Sequence, residues 1–271
     1  MDYIYLFILG SLGGFLSGFL GVGGGIVFVP ILDYFLGRMG LQGDSLVKAI
    51  LANSLFTIIF SGLFSSYKQY KMGNFYPKEI VWTAIPGVIS AVGMTLLIKA
   101  GTWYDTETFN TFFALMLLVV AIRMFVSKPK TLTTQQSPEV KSMGYHITGF
   151  FAGIITAMSG LGGGVVMTPV FTDVLKQDIK KASAISNGVI PFFAIAIGVL
   201  NLSNGNAQQV NPWQVGYIVF PAVIPMILAT FIFAPIGVRF AQSASQTFIR
   251  GFFATFVGIV FLKTLYAILY N

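Results

Sequence analysis

Long apolar stretches separated by short polar turns set the layout of this chain. The first stretch, 3–36, is too long for one simple membrane span, since a spanning helix needs about 20 mostly apolar residues. It carries Gly21, Gly23, Gly24 and Gly25 in its middle and Pro30 just beyond. Glycine costs about 1 kcal/mol per residue in a helix interior, so this run predicts an interrupted helix. Further apolar stretches predict spans near 48–64, 80–98 and 109–126. A polar tract follows at 127–142, rich in Thr, Gln, Ser, Lys and Pro. Then the order repeats. A long stretch, 144–175, holds Gly160, Gly162, Gly163 and Gly164 with Pro169 beyond, and spans are predicted near 182–202, 213–236 and 248–269. The expectation is an all-α polytopic membrane protein of about eight transmembrane segments. They form two homologous four-segment halves, 1–127 and 143–271, joined by a polar linker, 128–142, with the first and fifth segments interrupted at the glycine runs.

The repeat is visible position by position. Gly14, Gly21, Gly23, Gly24, Gly25, Val27 and Pro30 match Gly153, Gly160, Gly162, Gly163, Gly164, Val166 and Pro169 at one constant offset. Asn53-Ser54 answers Asn187-Gly188, and Pro77 and Pro86 answer Pro212 and Pro221. Thr108-Phe109 answers Thr247-Phe248, and Arg123 answers Lys263. Four crossings per half give parallel repeats. An odd number, reached if the piece after each glycine run re-enters, gives inverted ones. Eight crossings place Lys68, Lys71, Lys78, Arg123, Lys128, Lys130 and Lys141 on one side. Arg38, Lys48, Lys99, Lys176, Lys180, Lys181, Arg239 and Arg250 then fall on the other, too even a division for the positive-inside rule.

Composition agrees with the membrane reading. The chain is 55% apolar and only 9% charged, where soluble domains carry roughly 25% charged residues. The start, Met1-Asp2-Tyr3, lacks a basic n-region, so the first span is expected to stay in the mature protein. There is no cysteine, which excludes disulfides, thiolate chemistry and cysteine-bound metal. The net charge of +7 comes from basic residues at span ends. Membrane flanks explain them, and no basic face interleaved with aromatics suggests nucleic acid.

No catalyst is evident. His146, the single histidine, lies near a span end, and the carboxylates lie near span ends or in loops without an intramembrane pair. No enzyme, metal or cofactor is expected. Many cation-coupled carriers place Asp or Glu within a span, and no obvious one stands here. What remains at depth is backbone N–H, with Asn, Ser, Thr and aromatic side chains. An interrupted helix exposes unpaired N–H groups where its second piece begins, and the macrodipole adds about half a positive charge there. Together these form an anion site that needs no basic side chain. The candidate substrate-binding residues are Gly23, Gly24, Gly25, Asn53, Ser54, Gly162, Gly163, Gly164 and Asn187. Close helix packing is the competing account of the glycines and the preferred one for Gly10, Gly14 and Gly18. Asn53 and Asn187 serve equally well as caps for freed backbone.

On the motif Gly14-(x6)-Gly21-Val22-Gly23-Gly24-Gly25-(x4)-Pro30 and its copy from Gly153 to Pro169, the chain resembles the sulfite exporter TauE/SafE family of membrane permeases. The duplicated layout extends the resemblance over essentially the whole length. It implies a multi-pass transporter of the bacterial inner membrane that moves small sulfur-containing anions, sulfite or organosulfonates among them. Its partners are then the substrate and the lipid bilayer. The sixth span departs from the second by carrying Gly188 in place of Ser54, so unequal half-sites are expected. The alternative is a non-transporting membrane scaffold or assembly protein whose glycines serve packing.

Overall fold

The computed structural model describes residues 2–101, 103–126, 142–202 and 207–270. They are almost wholly helical: α1 (Asp2–Leu20), α2 (Gly25–Arg38), α3 (Gly43–Lys71), α4 (Pro77–Ala100), α5 (Thr106–Val126), α6 (Ser142–Ser159), α7 (Gly164–Pro169), α8 (Ile179–Leu202), α9 (Phe220–Ser243) and α10 (Gln246–Tyr270). α7 runs on into one π-helical turn, Val170–Val174. Two short strands, β1 (Gln214–Val215) and β2 (Ile218–Val219), pair antiparallel ahead of α9. Of the expected linker only Ser142, which opens α6, lies within the described residues.

The distribution of polarity is that of a protein dissolved in lipid. Ile85, Ile89, Phe192, Val199, Phe231 and Ile232 are exposed, while Ser17, Asn53, Ser54, Thr57, Ser61 and Asn187 are fully buried. A soluble domain of this size does not expose so continuous an apolar surface. Among the described residues, five helices are long and apolar enough to cross a membrane: Tyr3–Leu20, Gly43–Lys71, Pro77–Ala100, Ile179–Leu202 and Phe220–Ser243. Buried hydroxyls bond back to the preceding turn, as Thr57 does to the Asn53 carbonyl and Thr95 to that of Ala91. Hydroxyls bonded in this way need not face lipid unpaired.

The break at the first glycine run turns the chain back on itself. Tyr5, Leu6 and Leu9 of α1 share a groove with Pro30, Tyr34 and Phe35 of α2, and a Cβ on Gly13 would strike the Phe28 ring. α1 and α2 are thus the arms of a helical hairpin. α6 and α7 form a second one: the Tyr145 and Phe171 rings, one on each arm, lie 5.5 Å apart.

Each hairpin docks on a helix from the other end of the sequence. Gly10, Gly14 and Gly18 of α1 abut Met226, Thr230 and Ala234 of α9. Gly149 and Gly153 of α6 abut Thr83 and Gly87 of α4. Both contacts advance in step, so both pairs run parallel, and glycine at the contact lets the backbones approach closely.

α3 and α8 cross the centre antiparallel. At one end, Lys48 of α3 shares a cavity with Asn201 of α8 and Lys99 of α4. In the middle, Gly62 meets Pro191. At the other end, Gln242 of α9 accepts from Lys180 through its carbonyl and donates to Gln69 through its amide. These contacts define two faces of the molecule, a Lys48 face and a Lys181 face. The α1–α2 hairpin enters and leaves from the Lys48 face, and the α6–α7 hairpin from the Lys181 face.

This arrangement corrects three sequence expectations. Lys180 and Lys181 lie with Gln69 and Glu79, on the face opposite Lys48 and Lys99, because α7 returns rather than crosses. The tip contacts match Ile58 with Ile190, Leu51 with Ser183 and Ser54 with Ser186, so Asn53 does not answer Asn187. Pro77 opens α4, whereas Pro212 precedes α9 by a strand pair. A long connection, 203–219, joins α8 to α9, where 72–76 suffices between α3 and α4. The equal proline spacing does not mark equivalent positions.

Candidate substrate site

The two hairpin tips meet between the midpoints of α3 and α8. Gly24 and Gly163 are the N-caps of α2 and α7, at φ +81° and +74°, and neither helix has a side-chain cap. That left-handed conformation suits glycine. At the next position the constraint changes to space. A Cβ on Gly25 would lie 2.6 Å from the Leu161 Cα, and one on Gly164 would reach the Gly21 carbonyl and the Val22 Cα. Each tip therefore packs backbone to backbone on the other. Gly23 and Gly162 both face Ile58 and Ile190. The six predicted glycines come together, and all are buried.

Hydroxyls of the central helices hold the tips. Ser54 donates to the Gly160 carbonyl at 2.8 Å, and Ser61 to that of Gly23 at 2.9 Å. Thr168 of α7 reaches the Gly21 carbonyl at 3.3 Å and Ser186 at 3.2 Å. Ser61, Thr168 and Ser186 were not among the predicted residues. The sequence signal for them was weak, because Ser and Thr are common in membrane helices as self-bonded residues.

The two asparagines differ. Asn53 donates to the carbonyls of Ala49 and Tyr217 at 2.7 and 2.8 Å and accepts from the Val219 N–H at 2.8 Å. Both of its N–H donors are committed, so it clasps the strand that leads into α9. The expected donation from Asn53 to substrate has no donor left to make it. Asn187 is fully buried, and neither its amide nitrogen nor its oxygen has a partner among the described residues. Such a group is costly to leave bare, so Asn187 is the predicted polar side chain whose capacity is still unspent. His146 sits in the first turn of α6, its Nδ1 2.6 Å from the Ser142 carbonyl. Among the described residues, no cluster of His, Cys, Asp or Glu could hold a metal.

The faces differ as well. On the Lys181 face, Lys181 pairs with Glu79 at 3.3 Å and lies over the Tyr76 ring. On the Lys48 face a cavity of about 240 Å³ reaches down to Leu51 and Ala157, and Leu51 abuts Gly160.

Sequence comparison places the chain among known membrane proteins. The profile described as Sulfite exporter TauE/SafE matches residues 6–264. A probable membrane transporter protein of Haemophilus influenzae is 28% identical over 262 residues, covering 93% of this chain and 94% of its own length. One from Methanocaldococcus jannaschii is 24% identical over 255 residues, covering 94% and 92%. A third, from Bacillus subtilis, is 23% identical over 227 residues, covering 77% and 81%.

Proposed function

The chain belongs to the sulfite exporter TauE/SafE family, and from that premise we propose that it exports small sulfur-containing anions, sulfite or an organosulfonate, across a bacterial inner membrane. The observation that carries this reading is the meeting of two glycine-tipped hairpins, one from each face, against the middle of α3 and α8. Irregular backbone at membrane depth belongs where protein or a cavity surrounds it, and paired interrupted helices are where transporters build binding sites. The first-turn amides of α2 and α7, with Asn187, supply donors to an anion there.

In the same reading the halves are inverted repeats. Each contributes one re-entrant hairpin and three crossings, which gives eight embedded segments and the odd number of crossings that inversion requires. The reciprocal docking of α1 on α9 and α6 on α4 supports it. The tips' tight packing also suits a scaffold, but a scaffold has no use for a solvent-reaching cavity that stops beside them. Flux of sulfite, taurine and sulfoacetate from proteoliposomes containing the purified protein tests the proposal. Saturable release of at least one is expected; folded protein that releases none would leave the scaffold.

A further inference from the structure

The cavity on the Lys48 face has the chemistry of a binding site. Its polar end is made by Lys48, Lys99, Asn201 and Tyr217. The Lys99 ammonium donates to the Leu200 carbonyl, which leaves further N–H groups to offer. Neither lysine has an ion pair among the described residues, and no carboxylate lines the cavity. The Asn201 side chain is 7% exposed and makes no hydrogen bond among the described residues. Two cations brought to one cleft repel each other, and a carboxylate neighbour is the ordinary relief. Here that relief is absent from the lining, so the charge is left to something that enters.

The rest of the wall is apolar apart from Thr95: Leu51, Ile98, Ala157 and Ile197. A bare inorganic ion would leave that wall facing water. A molecule with an acidic head and a short carbon chain would cover it, because burying methylenes against an apolar wall is favourable. The roughly 240 Å³ of the cavity suits a chain of a few carbons.

We propose that this cavity is an anion site distinct from the glycine tips, in which Lys48 and Lys99 hold the head group of a small organic anion and the Leu51–Ile98–Ile197 wall holds its chain. It rests on the transport reading only for its purpose, as the station through which an anion passes between the tips and the Lys48 face. A sulfonate and a carboxylate share the chemistry that the lysines recognise.

The test is calorimetric titration of the full-length protein in nanodiscs with sodium propanesulfonate, sodium propionate and sodium sulfite. Propanesulfonate should bind at least tenfold more tightly than sulfite. Lys48→Gln and Lys99→Gln should each lose tenfold or more, with thermal unfolding at the wild-type temperature. Lys99→Arg should restore binding, and Lys68→Gln, on the other face, should leave it unchanged. Propionate binding as tightly as propanesulfonate, and depending equally on both lysines, supports the site with a carboxylate head. Wild-type affinity in both lysine variants, equal binding of sulfite and propanesulfonate, or no binding of any probe overturns it. Proteoliposome flux separates the two readings. Flux indifferent to both replacements overturns the cavity and leaves the transporter. Lysine-dependent binding without flux of any anion keeps the cavity and removes the transporter.

Discussion

Gly25 and Gly164 are held by space and Gly24 and Gly163 by backbone conformation, so substitutions there act on folding before they act on substrate. A methyl on Gly25 would sit 2.6 Å from the Leu161 Cα, where neither backbone can yield cheaply. Overpacking of this kind costs about 1–3 kcal/mol or more. Gly25→Ala should lower the thermal midpoint in detergent and abolish flux together; a wild-type midpoint would show that the tips do not meet as described. Gly24→Val drives its side chain into the Gly13 carbonyl and the Phe28 ring and should fail as a fold. Asn53→Ala should cost about 1–3 kcal/mol, because it orphans the Tyr217 carbonyl and the Val219 amide. Hydrogen exchange localises the effect: faster exchange at Val219 is expected, and weaker anion binding without it would return Asn53 to the substrate. Asn187→Leu removes a buried amide that has no partner. It should keep or raise thermal stability while reducing flux, and unchanged flux would take Asn187 out of the site.

The hairpins show where sequence reading succeeds and where it stops. The breaks were legible because consecutive glycines followed by proline oppose a helix whatever surrounds them, and both breaks lie at the expected residues. The direction taken after each break was not legible. An apolar segment has the same composition whether it crosses or returns, and only the Tyr145–Phe171 contact and its counterpart groove decide. Matching the halves failed for a related reason. Single Asn and Pro positions were aligned by spacing, but the register is set where α3 and α8 pass each other, at Ile58 and Ile190. The connection 203–219 shifts everything after it. The glycines of α1 were read correctly as packing positions, since Gly10, Gly14 and Gly18 all lie against α9. Gly153→Leu should part α6 from α4 and expose the second hairpin to limited proteolysis, which the protein with Gly153 intact resists.

In the proposed transport reading, the tips offer dipoles but no ionised side chain among the described residues, so they would not neutralise a passing anion. A monovalent anion leaving a cell at 100 mV, negative inside, gains about 2.3 kcal/mol. Efflux should therefore be electrogenic and should follow a potassium-valinomycin potential imposed on proteoliposomes; flux that ignores the potential and follows pH would point to a neutral or proton-coupled species. The return of each hairpin to its own face also bears on which way the molecule points. Once the chain no longer crosses at α7, the basic residues whose side chains are described stop being evenly divided. Lys68, Lys71, Lys78, Lys176, Lys180, Lys181 and Arg239 gather on one face, against Arg38, Lys48 and Lys99 on the other. Lys and Arg mark the cytoplasmic side of membrane proteins, so the expected orientation turns the Lys181 face into the cell and brings α1 in from outside. The natural absence of cysteine makes this directly readable on intact cells: an impermeant maleimide should label a cysteine placed at Gln42 and spare one placed at Met72.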